Sequence, residues 1–233
     1  HQPDIFNELI FEKNNEIAAY FIEKGLEKEP RNSSFRLILC DIYVSLQRYK
    51  EAETHYAILV NEFPSNYLLH YNYAKILEKT EKDNLAEQEY LKTIEIAPSF
   101  WQTYLSLALL YQKQGNNEKA IQFFESTIQY NPQNLLPYYF LASIYYYDND
   151  KAIEILKKGI EQGTEEKNFF DFLGYLYYEK GQYDKAIENF KKSLEIKDSS
   201  EIRFRLGVVY DKIGDSEQME EQMKKAIQLD TEN

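Results

Sequence analysis

The chain has 233 residues, of which 27 are basic and 39 acidic, so its formal net charge is −12. Apolar residues make up 43% of it and aromatic residues 15%, which is more core-forming material than a disordered acidic tail contains. The acidic balance argues against nucleic acids and anionic membrane surfaces as partners, because phosphate binding needs clustered Lys and Arg. A single cysteine, Cys40, excludes an internal disulfide. The longest mainly apolar run, from Leu135 to Tyr147, is too short to cross a bilayer, so we predict no membrane insertion.

Four prolines mark a repeat along the chain. Pro30, Pro64, Pro98 and Pro132 are separated by 34 residues each, and each follows an apolar stretch with helical spacing. Proline ends a helix there because it lacks the amide hydrogen and forces the preceding residue out of the helical conformation. A fixed period of this length is typical of a repeat architecture.

Each repeat is predicted to consist of two helices joined by a turn. In the fourth repeat, Tyr104, Leu107 and Tyr111 are spaced by three and four residues, which places them on one face of a first helix. Gly115 ends that helix, and a second amphipathic helix begins near Glu118. Small residues at positions 8 and 20 of a repeat allow its two helices to cross closely; examples are the pairs Ala74 and Ala86, Ala108 and Ala120, and Gly174 and Ala186.

With proline at position 32 of the unit, seven repeats account for the whole chain. Their approximate ranges are 1–32, 33–66, 67–100, 101–134, 135–166, 167–199 and 200–233. The fifth is predicted to have a turn two residues shorter around Asp148, and the sixth has Asp198 where the proline would stand. We therefore predict an all-α, right-handed superhelical solenoid of antiparallel helical hairpins, forming a single domain over 1–233.

The sequence of these repeats resembles the tetratricopeptide repeat (TPR) family. The signature of that family is W-x-x-L-G-x-x-Y, then A-x-x-x-F, then P within 34 residues. The fourth repeat matches the signature with Tyr104, Leu107, Ala108, Tyr111, Ala120, Phe124 and Pro132, and the sixth with Phe170, Leu173, Gly174, Tyr177, Ala186 and Phe190. The resemblance implies a scaffold for protein–protein interaction. It also implies a concave groove lined by positions 2, 5, 9 and 12 of the first helices, which we call the groove stripe.

The resemblance places a peptide or a helix of another protein in that groove. The predicted contact residues are Tyr71, Lys75, Leu105, Leu109, Gln112, Tyr139, Tyr146, Asp171, Tyr175 and Tyr178. Tyrosine suits such a surface because it combines a large contact area with few rotatable bonds and a polar end. The alternative is that some of these tyrosines fill the space between adjacent first helices.

The sequence contains no catalytic constellation, and we predict no enzymatic activity, no metal site and no cofactor. His55 and His70 have no carboxylate, histidine or cysteine three or four residues further on, as a helical metal site would need. Cys40 falls at position 8, where a small buried residue is expected rather than a nucleophile. Lysine pairs at positions 25 and 26 alternate with glutamates, which favours a solvated outer face over a stripe for an anionic partner; they are Lys157–Lys158, Lys191–Lys192 and Lys224–Lys225.

Two other functions stay open. The chain could be a structural scaffold that self-associates through the ends of the solenoid, because repeat arrays need capped ends. It could also be a module of a larger protein, since it lacks an initiator methionine and begins His1-Gln2-Pro3-Asp4. Composition favours a soluble protein, with the cytoplasm preferred over the periplasm or another extracytoplasmic space, but it leaves the compartment open.

Overall fold

The computed structural model describes residues 5–163 and 166–231, and over these residues it contains thirteen α-helices and no strand. The helices are α1 (Ile5–Lys28), α2 (Ser33–Ser45), α3 (Tyr49–Glu62), α4 (Tyr67–Lys79), α5 (Asp83–Ile96), α6 (Trp101–Lys113), α7 (Asn117–Tyr130), α8 (Leu136–Ile144), α9 (Asn149–Ile160), α10 (Lys167–Glu179), α11 (Tyr183–Ile196), α12 (Ser200–Ile213) and α13 (Ser216–Thr231). The predicted all-α helical repeat fold is confirmed.

Contacts between the helices divide the chain into two units, which are described separately. Unit 1 contains α1–α6, and unit 2 contains α7–α13. Within each unit the helices pack mainly against their neighbours in sequence, as expected for stacked repeats. We call the first helix of each repeat its A helix (α2, α4, α6, α8, α10 and α12) and the second its B helix (α3, α5, α7, α9, α11 and α13). A single domain over 1–233 stays a prediction.

Most A helices begin at position 1 of the 34-residue frame, namely at Ser33, Tyr67, Trp101, Lys167 and Ser200. Asparagine caps two of them: the Asn32 side chain accepts a hydrogen bond from the amide of Phe35 at 3.1 Å, and Asn66 accepts one from Leu68 at 3.1 Å.

The fifth repeat differs, because α8 has only 9 residues. The predicted shorter turn around Asp148 is wrong: residues 145–148 connect α8 to α9, against two or three residues in the other hairpins, so the missing length lies in the A helix. The Asp148 side chain caps α9 by accepting a hydrogen bond from the amide of Lys151 at 3.2 Å.

The first repeat is not a hairpin, which corrects the prediction for residues 1–32. From residue 5 onward it is one continuous helix, α1, that runs through the predicted turn to Lys28. The frame places position 15 of this repeat at Lys13, followed by Asn14 and Asn15, so the segment contains no glycine or proline to stop the helix. The first of the predicted helical hairpins is therefore the one formed by α2 and α3.

The prolines of unit 1 also accept hydrogen bonds. In three consecutive repeats, the position-4 side chain donates to the backbone carbonyl of the proline six residues earlier: Arg36 Nη2 to Pro30 at 2.5 Å, His70 Nε2 to Pro64 at 3.0 Å and Tyr104 Oη to Pro98 at 2.8 Å. In unit 2 the last repeat uses a different pair, because Asp198 replaces the proline and holds Arg203 through two contacts of 2.6 Å. A polar position 4 therefore links each of these A helices to the preceding loop.

Five A helices end in the same turn, in which position 15 has a positive φ. The residues are Gln47 (56°), Glu81 (61°), Gly115 (75°), Gly181 (68°) and Gly214 (79°). In each, the amide of the next residue bonds to the carbonyl of position 11, at 2.7–3.0 Å. This is the hydrogen bond of the Schellman motif, whose left-handed position favours glycine.

Because Gln47 and Glu81 are exposed side chains held in the left-handed conformation, replacing either by glycine should stabilise unit 1. We expect each substitution to raise the free energy of unfolding by about 0.5–1 kcal/mol, since the strain relieved exceeds the backbone entropy that glycine adds. Urea denaturation followed by circular dichroism measures the change. The control is Gln114→Gly, where φ is −79° and stability should fall. A loss at Gln47 and Glu81 as well would contradict the strain argument.

The core of unit 2 explains the glycine at position 8 of the sixth repeat. A Cβ atom on Gly174 would lie 2.7 Å from two carbons of the Phe190 ring. Phe190 is 1% exposed and belongs to a cluster with Leu173, Ala186 and Ile202. The absent side chain on α10 therefore lets the large ring on α11 pack against the helix backbone.

Four lysines on the B helices of unit 2 are each paired with a glutamate one turn earlier. The distances between the ammonium and carboxylate groups are 2.6 Å for Lys158–Glu154, 2.7 Å for Lys192–Glu188, 2.6 Å for Lys224–Glu220 and 2.5 Å for Lys225–Glu221. These side chains are mostly exposed, so the pairs contribute little to stability. The arrangement is that of a solvated face with balanced charge.

Candidate functional site

His70 is a structural residue of unit 1. It is 3% exposed, and its Nδ1 lies 2.6 Å from a carboxylate oxygen of Glu89 on α5, while its Nε2 donates to the Pro64 carbonyl. Lys92 bonds to the other carboxylate oxygen of Glu89 at 2.7 Å. The partner carboxylate lies on a different helix, which is why the local spacing around His70 did not reveal it. Both ring nitrogens are engaged, so the histidine connects α4, α5 and the preceding loop.

Cys40 and His55 are also explained by packing. Cys40 is fully buried, and burial raises the pKa of its thiol to about 12, so the reactive thiolate does not form near neutral pH. Burial, with the charge of Arg36, lowers the pKa of His55. His1 lies outside the described residues. Within the described parts of the chain, no group of three or more His, Cys, Asp or Glu residues could hold a metal ion.

The groove stripe of unit 1 combines apolar and aromatic residues. Tyr71 on α4 contacts the rings of Tyr90 and Phe100, at 5.8 and 5.0 Å between centroids, and the ammonium of Lys75 lies 5.6 Å from the Tyr71 ring. Tyr71 is half-buried, whereas Lys75 is exposed. Leu105, Leu109 and Gln112 all lie half-buried along α6. The Tyr71 ring therefore packs inside unit 1 and also keeps part of its surface exposed.

Tyr139 in unit 2 fills space between two A helices. Its ring lies 6.2 Å from Phe169 and 5.7 Å from Phe172, both on α10, and 6.0 Å from Phe140 on its own helix. With these three aromatic contacts Tyr139 is half-buried. The space-filling alternative raised by the sequence thus describes Tyr139 well.

Tyr146 and Tyr175 form a pair on the groove stripe. Their rings are stacked with 5.9 Å between centroids, and their hydroxyl oxygens lie 2.6 Å apart, within hydrogen-bond distance. The hydrogen bond with Tyr146, burial and the nearby Glu179 carboxylate raise the pKa of the Tyr175 hydroxyl above its usual range. The pair joins the turn after α8 to α10, and the Glu179 carboxylate lies beside the Tyr175 hydroxyl.

Asp171 is bonded within unit 2. One of its oxygens accepts a hydrogen bond from Arg205 Nη1 on α12 at 2.8 Å, and Arg205 Nη2 bonds to Glu201 at 2.6 Å. Burial raises the pKa of the Asp171 carboxyl, while the positive charge of Arg205 opposes that rise. The Arg205 guanidinium therefore binds two carboxylates. Arg205, Asp171 and Glu201 together carry a net negative charge when all three are ionised.

An apolar cleft opens between α10 and α12. It has a volume of about 220 Å³ and is lined by Tyr175, Tyr178, Phe190, Phe204, Arg205 and Val208. Phe204 is 55% exposed, whereas Phe190, also in the lining, is otherwise buried in the core of unit 2. The cleft joins two predicted groove residues to three residues of the last repeat.

Phe204, Val208 and Arg205 were not among the predicted site residues. Phe204 and Val208 occupy positions 5 and 9 of the seventh repeat, so the groove stripe extended into that repeat would have found them. Arg205 occupies position 6, outside the stripe, and its link to Asp171 becomes visible only in the structure.

Sequence comparison assigns the family. Models described as tetratricopeptide repeat match residues 37–99, 89–122 and 200–233, and one described as TPR repeat matches 174–214. Together the matches cover 37–122 and 174–233, which is more than half of the chain. The chain belongs to the tetratricopeptide repeat family. TPR repeats are generally non-catalytic modules for protein interaction.

Solved structures of TPR proteins share the fold. The C-terminal part of a TPR repeat-containing protein from Cytophaga hutchinsonii has a TM-score of 0.79 at 20% identity, over 98% of this chain and 95% of that one. MamA has a TM-score of 0.62 at 23% identity, over 68% of this chain and 95% of that one. YrrB, described as a TPR protein with an unusual peptide-binding site, has a TM-score of 0.61 at 19% identity, over 74% of this chain and 91% of that one. At sequence identities of 19–23%, the similarity to these structures shows a shared fold and no more.

A search of curated proteins finds no match for this TPR chain. Across the described residues, no helix combines the length and apolar character needed to cross a membrane.

Proposed function

We propose that this protein is a protein-interaction scaffold whose groove stripe in unit 2 binds a short segment of another protein. The observation that carries the proposal is the cleft between α10 and α12, where an exposed phenylalanine borders two half-buried tyrosines. Binding sites of this kind place aromatic anchors in a desolvated pocket and surround them with polar groups. The Tyr146–Tyr175 pair and the carboxylates beside the cleft supply those polar groups.

The A helices of unit 1 supply a second proposed contact surface. Leu105 and Leu109 give apolar area on α6, while Lys75 and Gln112 give polar groups on the same stripe. Membership of the TPR family supports the proposal, since the family consists of interaction modules. The peptide-binding site named for YrrB is a property of that protein and is in keeping with the same mode of action.

Placing a charge in the cleft should weaken peptide binding without unfolding the protein. Phe204→Glu replaces an exposed side chain, so we expect a stability change of at most about 1 kcal/mol. Affinity for peptides selected from a displayed linear peptide library should fall by at least tenfold, which corresponds to the loss of one anchor residue. Affinities can be measured by fluorescence anisotropy.

The matched control is Ile227→Glu on α13, which makes the same substitution at an apolar residue that is 66% exposed in the same repeat. It should leave peptide affinity unchanged. Equal affinity of the wild-type protein and Phe204→Glu for every selected peptide would overturn the proposed site.

A further inference from the structure

The size of the cleft limits what it can hold. Its volume of about 220 Å³ is below the ~300–1,000 Å³ of clefts that enclose drug-sized ligands. Its lining is aromatic and aliphatic except for the tyrosine hydroxyls and Arg205. The space therefore suits one large apolar side chain carried by a longer segment that lies along the A helices.

The charged residues of the groove stripe beside the cleft are acidic. The groove stripe of unit 2 carries Asp171, Glu201 and Asp211, and it contains no lysine or arginine within the described residues. The Glu179 carboxylate adds a further negative charge beside the Tyr175 hydroxyl. Arg205 is the cation in the cleft lining, and both Asp171 and Glu201 bond to it.

We infer that the cleft binds a single large apolar side chain of a partner segment in which lysine or arginine residues flank that side chain. The inference rests on the proposed function, and it adds the chemistry of the partner. The apolar side chain would cover the exposed face of Phe204. The flanking cations would meet Glu201, whose side chain is 68% exposed, and Glu179, which is also exposed.

An acidic segment fits the same surface poorly. To reach Arg205 it would have to displace Glu201 or Asp171, and displacing Asp171 would leave a partly buried carboxylate without its partner. The lysine pairs of unit 2 lie on the B helices, where Lys158, Lys192, Lys224 and Lys225 are each paired with a glutamate. The distribution of charge therefore favours a basic partner over an acidic one.

A charge swap tests the inference with the intact chain. A displayed linear peptide library is selected separately on the wild-type protein, on Glu201→Lys and on Phe204→Glu. We expect wild-type peptides to share one aromatic or large aliphatic residue with basic neighbours. Those peptides should bind Glu201→Lys about fivefold more weakly, as an exposed ion pair is lost and a repulsion appears. They should also bind more weakly as the salt concentration rises.

Glu195→Lys is the matched control, because it makes the same change of charge at an exposed residue of α11 outside the groove stripe. It should leave the affinity of the selected peptides unchanged. If peptides require Phe204 but have neutral or acidic neighbours around the apolar residue, the inference is overturned and the proposed function stands. If no selected peptide depends on Phe204, both are overturned.

Discussion

Replacing Phe190 with alanine is expected to lower the free energy of unfolding by about 3–5 kcal/mol. The ring is 1% exposed and fills the crossing of α10 and α11, where it packs against Gly174. Removing it leaves a cavity that the glycine cannot fill, so both the lost burial and the cavity contribute. Urea or thermal denaturation followed by circular dichroism measures the loss, which should be concentrated in unit 2 because Phe190 belongs to the core of that unit.

Phe204→Ala is the matched control, since both phenylalanines line the cleft but Phe204 is 55% exposed. It should change the free energy of unfolding by less than about 1 kcal/mol and should weaken peptide binding instead. Similar losses of stability for the two variants would contradict the division of the aromatic residues into a packing set and a binding set.

The second large effect concerns the buried pair of unit 1. His70→Ala should lower the free energy of unfolding by about 3 kcal/mol, because it leaves the Glu89 carboxylate, only 8% exposed, without its closest partner. It also removes the hydrogen bond to the Pro64 carbonyl. Glu89 keeps its contact with Lys92, which moderates the loss. The same denaturation experiment gives the value.

A double variant separates the effect of the His70–Glu89 contact from the effect of filling the two positions. His70→Tyr with Glu89→Phe introduces the residue types that the fourth repeat has at positions 4 and 23, namely Tyr104 and Phe123. The new tyrosine can donate to the Pro64 carbonyl as Tyr104 donates to Pro98, and no buried carboxylate remains. The double variant should recover more than half of the stability lost in His70→Ala. If His70→Ala does not lower the free energy of unfolding, the pair does not hold α4 to α5.

The 34-residue period predicted much of the fold. It predicted where most A helices begin, and it predicted buried small residues at position 8, as found for Cys40, Ala74 and Gly174. These features follow from local signals, since proline, glycine and the spacing of apolar residues act within one or two turns of helix. The two missing residues of the fifth repeat were visible for the same reason, but they were assigned to the turn, whereas the structure shortens α8.

The first repeat shows the limit of this approach. A weak match to the repeat was enough to predict a hairpin, but no residue near Lys13 ends the helix, and α1 continues to Lys28. The opposite case occurs at Gln47 and Glu81, where a turn forms without the glycine that would signal it. In these repeats the turn is set by contacts between the two helices of the hairpin, which a local pattern does not record.

The candidate site was predicted only in part. The groove stripe includes both Tyr146 and Tyr175, and the structure brings their hydroxyl groups together, one from the turn after α8 and the other from α10. It did not predict that Tyr139 packs against Phe169 and Phe172. The ion pair between Asp171 and Arg205 joins adjacent A helices at residues 34 apart, and such pairing depends on rotamers that the sequence pattern does not specify. The role of these residues in binding stays a proposal.

Photo-crosslinking tests the central claim most directly. A peptide selected on the wild-type protein is synthesised with a benzophenone side chain in place of its apolar anchor, irradiated with the protein and mapped by mass spectrometry. We predict crosslinks to α10 and α12, concentrated at Tyr175, Tyr178, Phe204 and Val208. Crosslinks confined to the B helices α9, α11 and α13 would contradict the account, because they would place the partner on the outer face of unit 2.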